Sequence, residues 1–212
     1  MCLATSTMIP VFVQATRDQN TPMPEVVQEP PARGKFLIAS RDLLDPNFAE
    51  TVVLLVDYDS DGALGVIINR PTQTLISEVL PDVESVAERP DRVWLGGPVA
   101  QWQLVMLGRS DAGLDEGRMV MDDLYFSASR SALEELLAED GEFRLYAGYA
   151  GWSPGQLDEE IDRGGWKVLP GELSMVFDQA PLDLWPELIM RTTVHWAHRA
   201  TSESTDSLAP SR

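Results

Sequence analysis

Apolar runs of strand length alternate with turn-forming clusters through the middle of the chain. Lys35–Ser40 (KFLIAS) is the first. Thr51–Asp59 (TVVLLVDYD) and Ala63–Arg70 (ALGVIINR) flank Asp59-Ser-Asp-Gly62, which predicts a hairpin. Arg92–Gly97, Trp102–Arg109, Arg118–Ser127, Phe143–Ala150, Gly165–Pro170 and Leu173–Phe177 read as further strands. VVLLV and LGVII are almost continuously apolar, so they predict strands covered on both faces.

Helical patterns are fewer. Thr74–Leu80 (TLISEVL) is a short one. Ser131–Gly141 (SALEELLAEDG) places Ser131 and Glu134 as a capping box and Gly141 as a stop. Leu184–Arg199 sets Trp185, Leu188, Ile189, Thr192 and Trp196 on one face of an amphipathic helix. Strand-rich runs with helices clustered between and after them predict an α+β fold rather than repeating βαβ units. Residues 1–33 are rich in Pro and Thr without a sustained period and read as a disordered leader; the compositional change falls just after Met23, which marks that residue as a second candidate start. Residues 200–212 are small and polar and read as a disordered tail. The folded unit is then 34–199, one domain without an internal linker or repeat.

Composition changes this picture mainly through charge. The 212 residues carry 16 basic and 34 acidic side chains, a net charge of −18. Arg70, Arg89, Arg92, Arg109, Arg118, Arg130, Arg144 and Arg163 are scattered singly, with no basic helix or arm. Direct nucleic-acid binding is therefore disfavoured. Cys2 is the only cysteine, which excludes an intrachain disulfide and a four-thiolate metal site and fits a cytoplasmic setting. No apolar run approaches the ~20 residues of a membrane-spanning helix, and the first residues lack the basic leading region of a secretory signal.

Three motifs invite chemistry. Asp57-Tyr-Asp-Ser-Asp-Gly62 copies the start of a calcium loop, but its twelfth position is Ile68 where a bidentate Glu is required, so turn chemistry accounts for it. His195 and His198 lie three apart on the final helix, without the spacing of four and adjacent Glu of a zinc protease; the helix C-terminus explains them, and no metal is expected. Gly151-Trp-Ser-Pro-Gly155 reads as the G-x-S-x-G of a nucleophile elbow, with Asp178 or Asp183 and then His195 or His198 available as triad partners. Pro154 follows the serine and has no N–H for an oxyanion hole. A helix start explains the same residues: Ser153 at the N-cap, Pro154 at N1, Gln156 completing a capping box, Leu157 and Ile161 facing inward, and Gly164 or Gly165 as the stop. Gly148, Gly151 and Gly155 could offer N–H groups to an anion, but no Lys accompanies them and an acidic helix follows. Trp152 and Trp166 read as core or groove-lining aromatics.

Gly34–Phe48 (GKFLIASRDLLDPNF), Gly62–Pro71 (GALGVIINRP), Trp94–Val99 (WLGGPV) and Gly148–Trp166 (GYAGWSPGQLDEEI…GGW) together resemble the AlgH/YqgE family of bacterial proteins. The resemblance implies a barrel-like, mostly antiparallel sheet surrounded by a few helices and no established reaction; members carry the label of transcriptional regulator without a recognised DNA-binding motif. Where the family often has glycine this chain has Ser153, and where it often has Ser-Pro this chain has Ser40-Arg41. The matched blocks single out Asp45, Asn69, Arg70, Gly96, Gly97, Trp152 and Gln156 as a ligand-binding set, Arg70 being suited to a carboxylate or phosphate. The competing reading is that they fix turns and one buried hydrogen-bond network. The expectation is a non-enzymatic cytoplasmic protein that acts through contacts with a protein or small ligand, in regulation as the resemblance implies, without cofactor, metal or membrane. The alternative is a hydrolase using Ser153 or a polar site around Asn69 and Arg70.

Overall fold

The computed structural model describes residues 29–192. Most of the leader, the tail, Trp196 and both histidines, His195 and His198, lie outside that range.

Ten strands form one sheet: β1 (Lys35–Ala39), β2 (Val52–Asp59), β3 (Gly62–Ile67), β4 (Pro71–Leu75), β5 (Arg92–Leu95), β6 (Val99–Arg109), β7 (Arg118–Met121), β8 (Leu124–Ser127), β9 (Phe143–Trp152) and β10 (Trp166–Pro170). The main path runs β10-β1-β2-β3-β9-β6-β8-β7, with β4 paired to β5 and β5 to β9. Every pairing is antiparallel except β5 with β9. Around the sheet stand α1 (Ile76–Val79), α2 (Arg130–Ala138), α3 (Gln156–Asp162), α4 (Leu173–Phe177) and a last helix described over residues 181–192.

β1 is buried from Phe36 to Ala39 and β2 from Val52 to Val56, as the missing polar alternation predicts. Phe36, Leu54, Val105, Leu107, Val120, Leu124 and Tyr146 meet on one face, so the sheet curls until its far strands share an interior. Val176, Leu184 and Leu188 cover that interior from α4 and the last helix. The opposite face divides in two. Leu37, Val53, Ile67, Trp152 and Trp166 pack under Leu157 and Ile161 of α3. Met106, Phe143 and Leu145 pack under Ala132, Leu133 and Leu136 of α2.

The barrel-like sheet stays open: β7 and β10 end the ladder unjoined. Packing bridges the gap instead. A side chain at Gly34 would stand 2.9 Å from the Val120 carbonyl oxygen, and Asp57 of β2 pairs with both Arg118 of β7 and Arg33. The close approach therefore requires glycine at position 34, whose φ is also +79°.

One joint lets β9 serve both outer clusters. Phe143 and Leu145 face α2 and Tyr146 faces the interior, yet Ala150 and Trp152 face α3. Strict alternation would send these even-numbered residues inward. Gly148, with φ +71°, lies at the register shift between β6 and β9 and inverts the alternation.

Several expectations need correcting. Leu173–Phe177 is helical, not extended: Met175 and Val176 are adjacent yet both buried in the interior cluster, which a strand's alternation forbids. Arg118–Ser127 is two strands around a turn at Asp122–Asp123, Asp123 having φ +62°. Pro71–Leu75 adds a strand whose polar sequence hides it; Pro at its first position is compatible with an edge. Ser131 lies within α2, whose N-cap is Ser129, so the Ser131–Glu134 box does not form. Asp140, not Gly141, takes the left-handed position at the end of α2, while the Gly141 N–H donates to the Leu136 carbonyl at 2.7 Å.

Candidate functional site

The DLLDPNF segment becomes a surface loop between β1 and β2. Asp45 builds its turn: the Asn47 N–H donates to Asp45 Oδ1 at 2.8 Å, and the Phe48 and Ala49 N–H groups donate to its carbonyl at 2.9 and 2.7 Å. Glu50 then takes φ +57° as the chain swings into β2.

Asn69 and Arg70, just beyond β3, grip this loop. Asn69 is buried; its Oδ1 accepts from the Val52 N–H at 2.9 Å and its Nδ2 donates to the Glu50 carbonyl at 3.0 Å. Arg70 donates through Nη1 to the Asn47 carbonyl at 2.7 Å and through Nη2 to the Ala49 carbonyl at 2.9 Å, with both nitrogens 3.4 Å from the Pro46 carbonyl. Burial lowers the Arg70 pKa from its ordinary value, and the nearby Asp45 charge pulls the other way.

Phe48 anchors the loop from its other side. It stacks on Trp152 with centroids 6.2 Å apart and meets Trp166 edge-on at 5.5 Å; the two indoles are themselves edge-to-face at 6.0 Å. Both indole N–H groups converge on Glu160 Oε2, at 3.0 Å from Trp152 and 2.8 Å from Trp166. Gln156 Nε2 donates to Glu160 Oε1 at 3.0 Å. One carboxylate of α3 thus joins the helix to β9 and β10. Nearby, the Tyr58 hydroxyl donates to Asp158 Oδ1 at 2.7 Å; that bond, helped by burial and the Asp158 charge, pushes the phenol up to about 12.

Gly96 and Gly97 lie where the chain after β5 meets β3 and β9. The Gly96 carbonyl accepts from the Ile67 N–H at 2.8 Å and its N–H donates to the Ala147 carbonyl at 2.9 Å. A side chain at Gly96 would lie 2.2 Å from the Gly148 carbonyl oxygen, and one at Gly97 would lie 2.1 Å from the Tyr149 carbonyl carbon. Five of the seven therefore gather around one loop: Asp45 forms it, Asn69 and Arg70 hold it, and Trp152 and Gln156 support it through Phe48 and Glu160. Gly96 and Gly97 instead allow the chain after β5 to approach β9. Phe48, Glu160 and Trp166 complete the arrangement. Only the Gln156–Glu160 spacing of four hinted at the carboxylate's role.

Ser153 is not the helix cap expected from its sequence. Ser153 to Gln156 form a tight turn closed by the Gln156 N–H on the Ser153 carbonyl at 3.0 Å, with Pro154 second and Gly155 third at φ +74°, ψ −10°, the pattern of a type II turn. Gly155 is the N-cap of α3. Half of the predicted box survives, since Gln156 Oε1 accepts from the Ser153 N–H at 3.1 Å. Gly164, with φ +80°, terminates α3 as expected. Among the described residues no group of three or more His, Cys, Asp or Glu could hold a metal, and no helix is long and apolar enough to cross a membrane.

The AlgH-like family model matches residues 36–197, from the second residue of β1 through the last helix. The chain belongs to this AlgH-like family. A UPF0301 protein of Mycolicibacterium smegmatis is 38% identical over 178 residues, covering 79% of this chain and 86% of that one. Another from Streptomyces avermitilis is 38% identical over 181 residues, covering 82% and 94%. Among solved structures, a Corynebacterium diphtheriae protein shares the fold with a TM-score of 0.68 at 27% identity, covering 78% of this chain and 90% of that one. The AlgH protein from Pseudomonas aeruginosa, known in solution, gives 0.62 at 28% identity, covering 88% and 100%.

Proposed function

We propose that this AlgH-like protein is non-enzymatic and cytoplasmic, and that it acts in regulation by presenting the clamped loop to a protein or small ligand. The observation that supports this most is the use made of Asn69 and Arg70. Their polar groups are spent on loop backbone, at distances of 2.7 to 3.0 Å for the four shortest bonds. They hold a surface in place rather than facing a substrate. Above them, Arg41, Asp42, Asp45 and Asn47 are exposed, and Leu44 is 84% exposed. A rigid loop with an outward apolar side chain suits contact, because its ordering cost is met before a partner arrives.

Direct DNA binding remains disfavoured by the −18 charge. The hydrolase alternative gains no support at Ser153, since the left-handed turn position falls on Gly155 and Pro154 offers no N–H. Two assays test the proposal. Native mass spectrometry of protein purified from its own host should find a bound partner or small molecule that is lost in Leu44→Glu. Turnover of ester, phosphoester or peptide substrates that disappears in Asn69→Ala or Arg70→Ala, or fluorophosphonate labelling that disappears in Ser153→Ala, would overturn it.

A further inference from the structure

Arg144 and Tyr146 lie two residues apart on β9, near the interior covered by α4. The Tyr146 hydroxyl is fully buried, and no hydrogen-bonding partner meets it among the described residues. A buried hydroxyl left alone is a standing cost that phenylalanine would avoid. Beside it, the Arg144 guanidinium lies over the Trp94 ring, 4.1 Å from its centroid, with Phe177 at 5.8 Å. Its donors reach the last carbonyls of α4: Nη1 to Val176 and Nη2 to Phe177, the latter at 2.7 Å. No carboxylate pairs with Arg144 among the described residues, although the chain has 34 acidic side chains.

These facts share an explanation. Two guanidinium nitrogens reaching two oxygens is the geometry of carboxylate recognition, and a neighbouring phenol supplies a third donor. Here the carbonyls of α4 occupy the guanidinium, and the phenol, which feels the neighbouring Arg144, finds no acceptor for its O–H. α4 is one short turn of five residues, its N-cap makes no side-chain hydrogen bond, and helices this short have little stability of their own. It contributes Met175 and Val176 to an otherwise strand-built apolar cluster that includes Phe36, Val105 and Leu107.

We propose that Arg144 and the Tyr146 hydroxyl form a carboxylate-binding pair beneath α4, which takes an alkyl carboxylate of medium chain length when α4 moves aside. The carboxylate replaces the Val176 and Phe177 carbonyls on Arg144 and accepts from the Tyr146 hydroxyl. The alkyl chain fills the space vacated by Met175 and Val176. This site is separate from the clamped loop and does not depend on the function proposed for it.

Octanoate is the test ligand, with octanol and octyl phosphate as comparison arms, measured by titration calorimetry on the full chain. The expected result is saturable binding of one octanoate, with octanol and octyl phosphate each weaker by roughly tenfold or more, the factor expected when a charge-assisted hydrogen bond is lost or misfitted. Tyr146→Phe should weaken octanoate by a similar factor while its thermal midpoint stays level or rises. That combination separates a ligand role from a structural one, because a hydroxyl needed for folding would lower the midpoint when removed. Absence of saturable octanoate binding, binding indifferent to the head group, tighter binding of octyl phosphate, or unchanged octanoate affinity in Tyr146→Phe would each overturn the proposal.

Discussion

Arg70 and Arg144 are both half-buried and both answered by backbone carbonyls, yet their surroundings differ. Around Arg70 the local polar groups are matched: Asn69 uses both ends of its amide, and the indoles behind Phe48 share a carboxylate. Around Arg144 the guanidinium holds one short helix, and the hydroxyl of Tyr146 meets no partner among the described residues. The first region has the character of a finished support. The second keeps a donor in reserve, and satisfied and unsatisfied groups respond to mutation with opposite signs.

The largest expected effect breaks the support from its aromatic side. Trp166→Ala empties a fully buried site between Phe48, Trp152 and Glu160, and should cost about 3–5 kcal/mol in urea denaturation. Asn69→Ala leaves the Val52 N–H and the Glu50 carbonyl unanswered and should cost about 1–3 kcal/mol by the same measurement. Tyr146→Phe should instead be neutral or stabilising by up to about 1 kcal/mol, whereas Tyr58→Phe, which loses the bond to Asp158, should destabilise by a similar amount. A loss of stability in Tyr146→Phe would erase the contrast.

The smallest effect appears with pH. The Tyr58 phenol is raised from 10.0 to about 12 when folded, so its protonated form is favoured by folding. Its contribution is fully present below pH 10 and declines as pH rises from 10 towards 12. The alkaline limb of a stability–pH profile should therefore be shallower in Tyr58→Phe. An unchanged limb would mean that the Asp158 bond does not govern this titration.

The continuous apolar runs of β1 to β3 were legible because burial on both faces leaves a local signature. β4 left none: PTQTL is polar and belongs to the sheet only through β5. Leu173–Phe177 misled because five mostly apolar residues fit either period, and only the shared burial of Met175 and Val176 decides between them. The site residues could be assembled from the matched sequence blocks; Asp45, Asn69, Arg70, Trp152 and Gln156 meet at one loop, while Gly96 and Gly97 lie against β9. Their bonding could not be read the same way. Arg70 reaches carbonyls 21 to 24 positions away, and carbonyls carry no sequence identity. Glu160 was visible as helix charge, but its hold on two indoles depends on the fold bringing β9 and β10 together.

The inversion at Gly148 makes β9 a strand of two phases spliced end to end. Upstream of the splice, odd positions answer to α2; downstream, even positions answer to α3. Removing one residue at the splice would rotate Ala150 and Trp152 by half a period and send the tryptophan towards Tyr146. A substitution away from Gly148 leaves phase intact, so the two neighbourhoods can vary separately by exchange of side chains. They cannot vary by change of length.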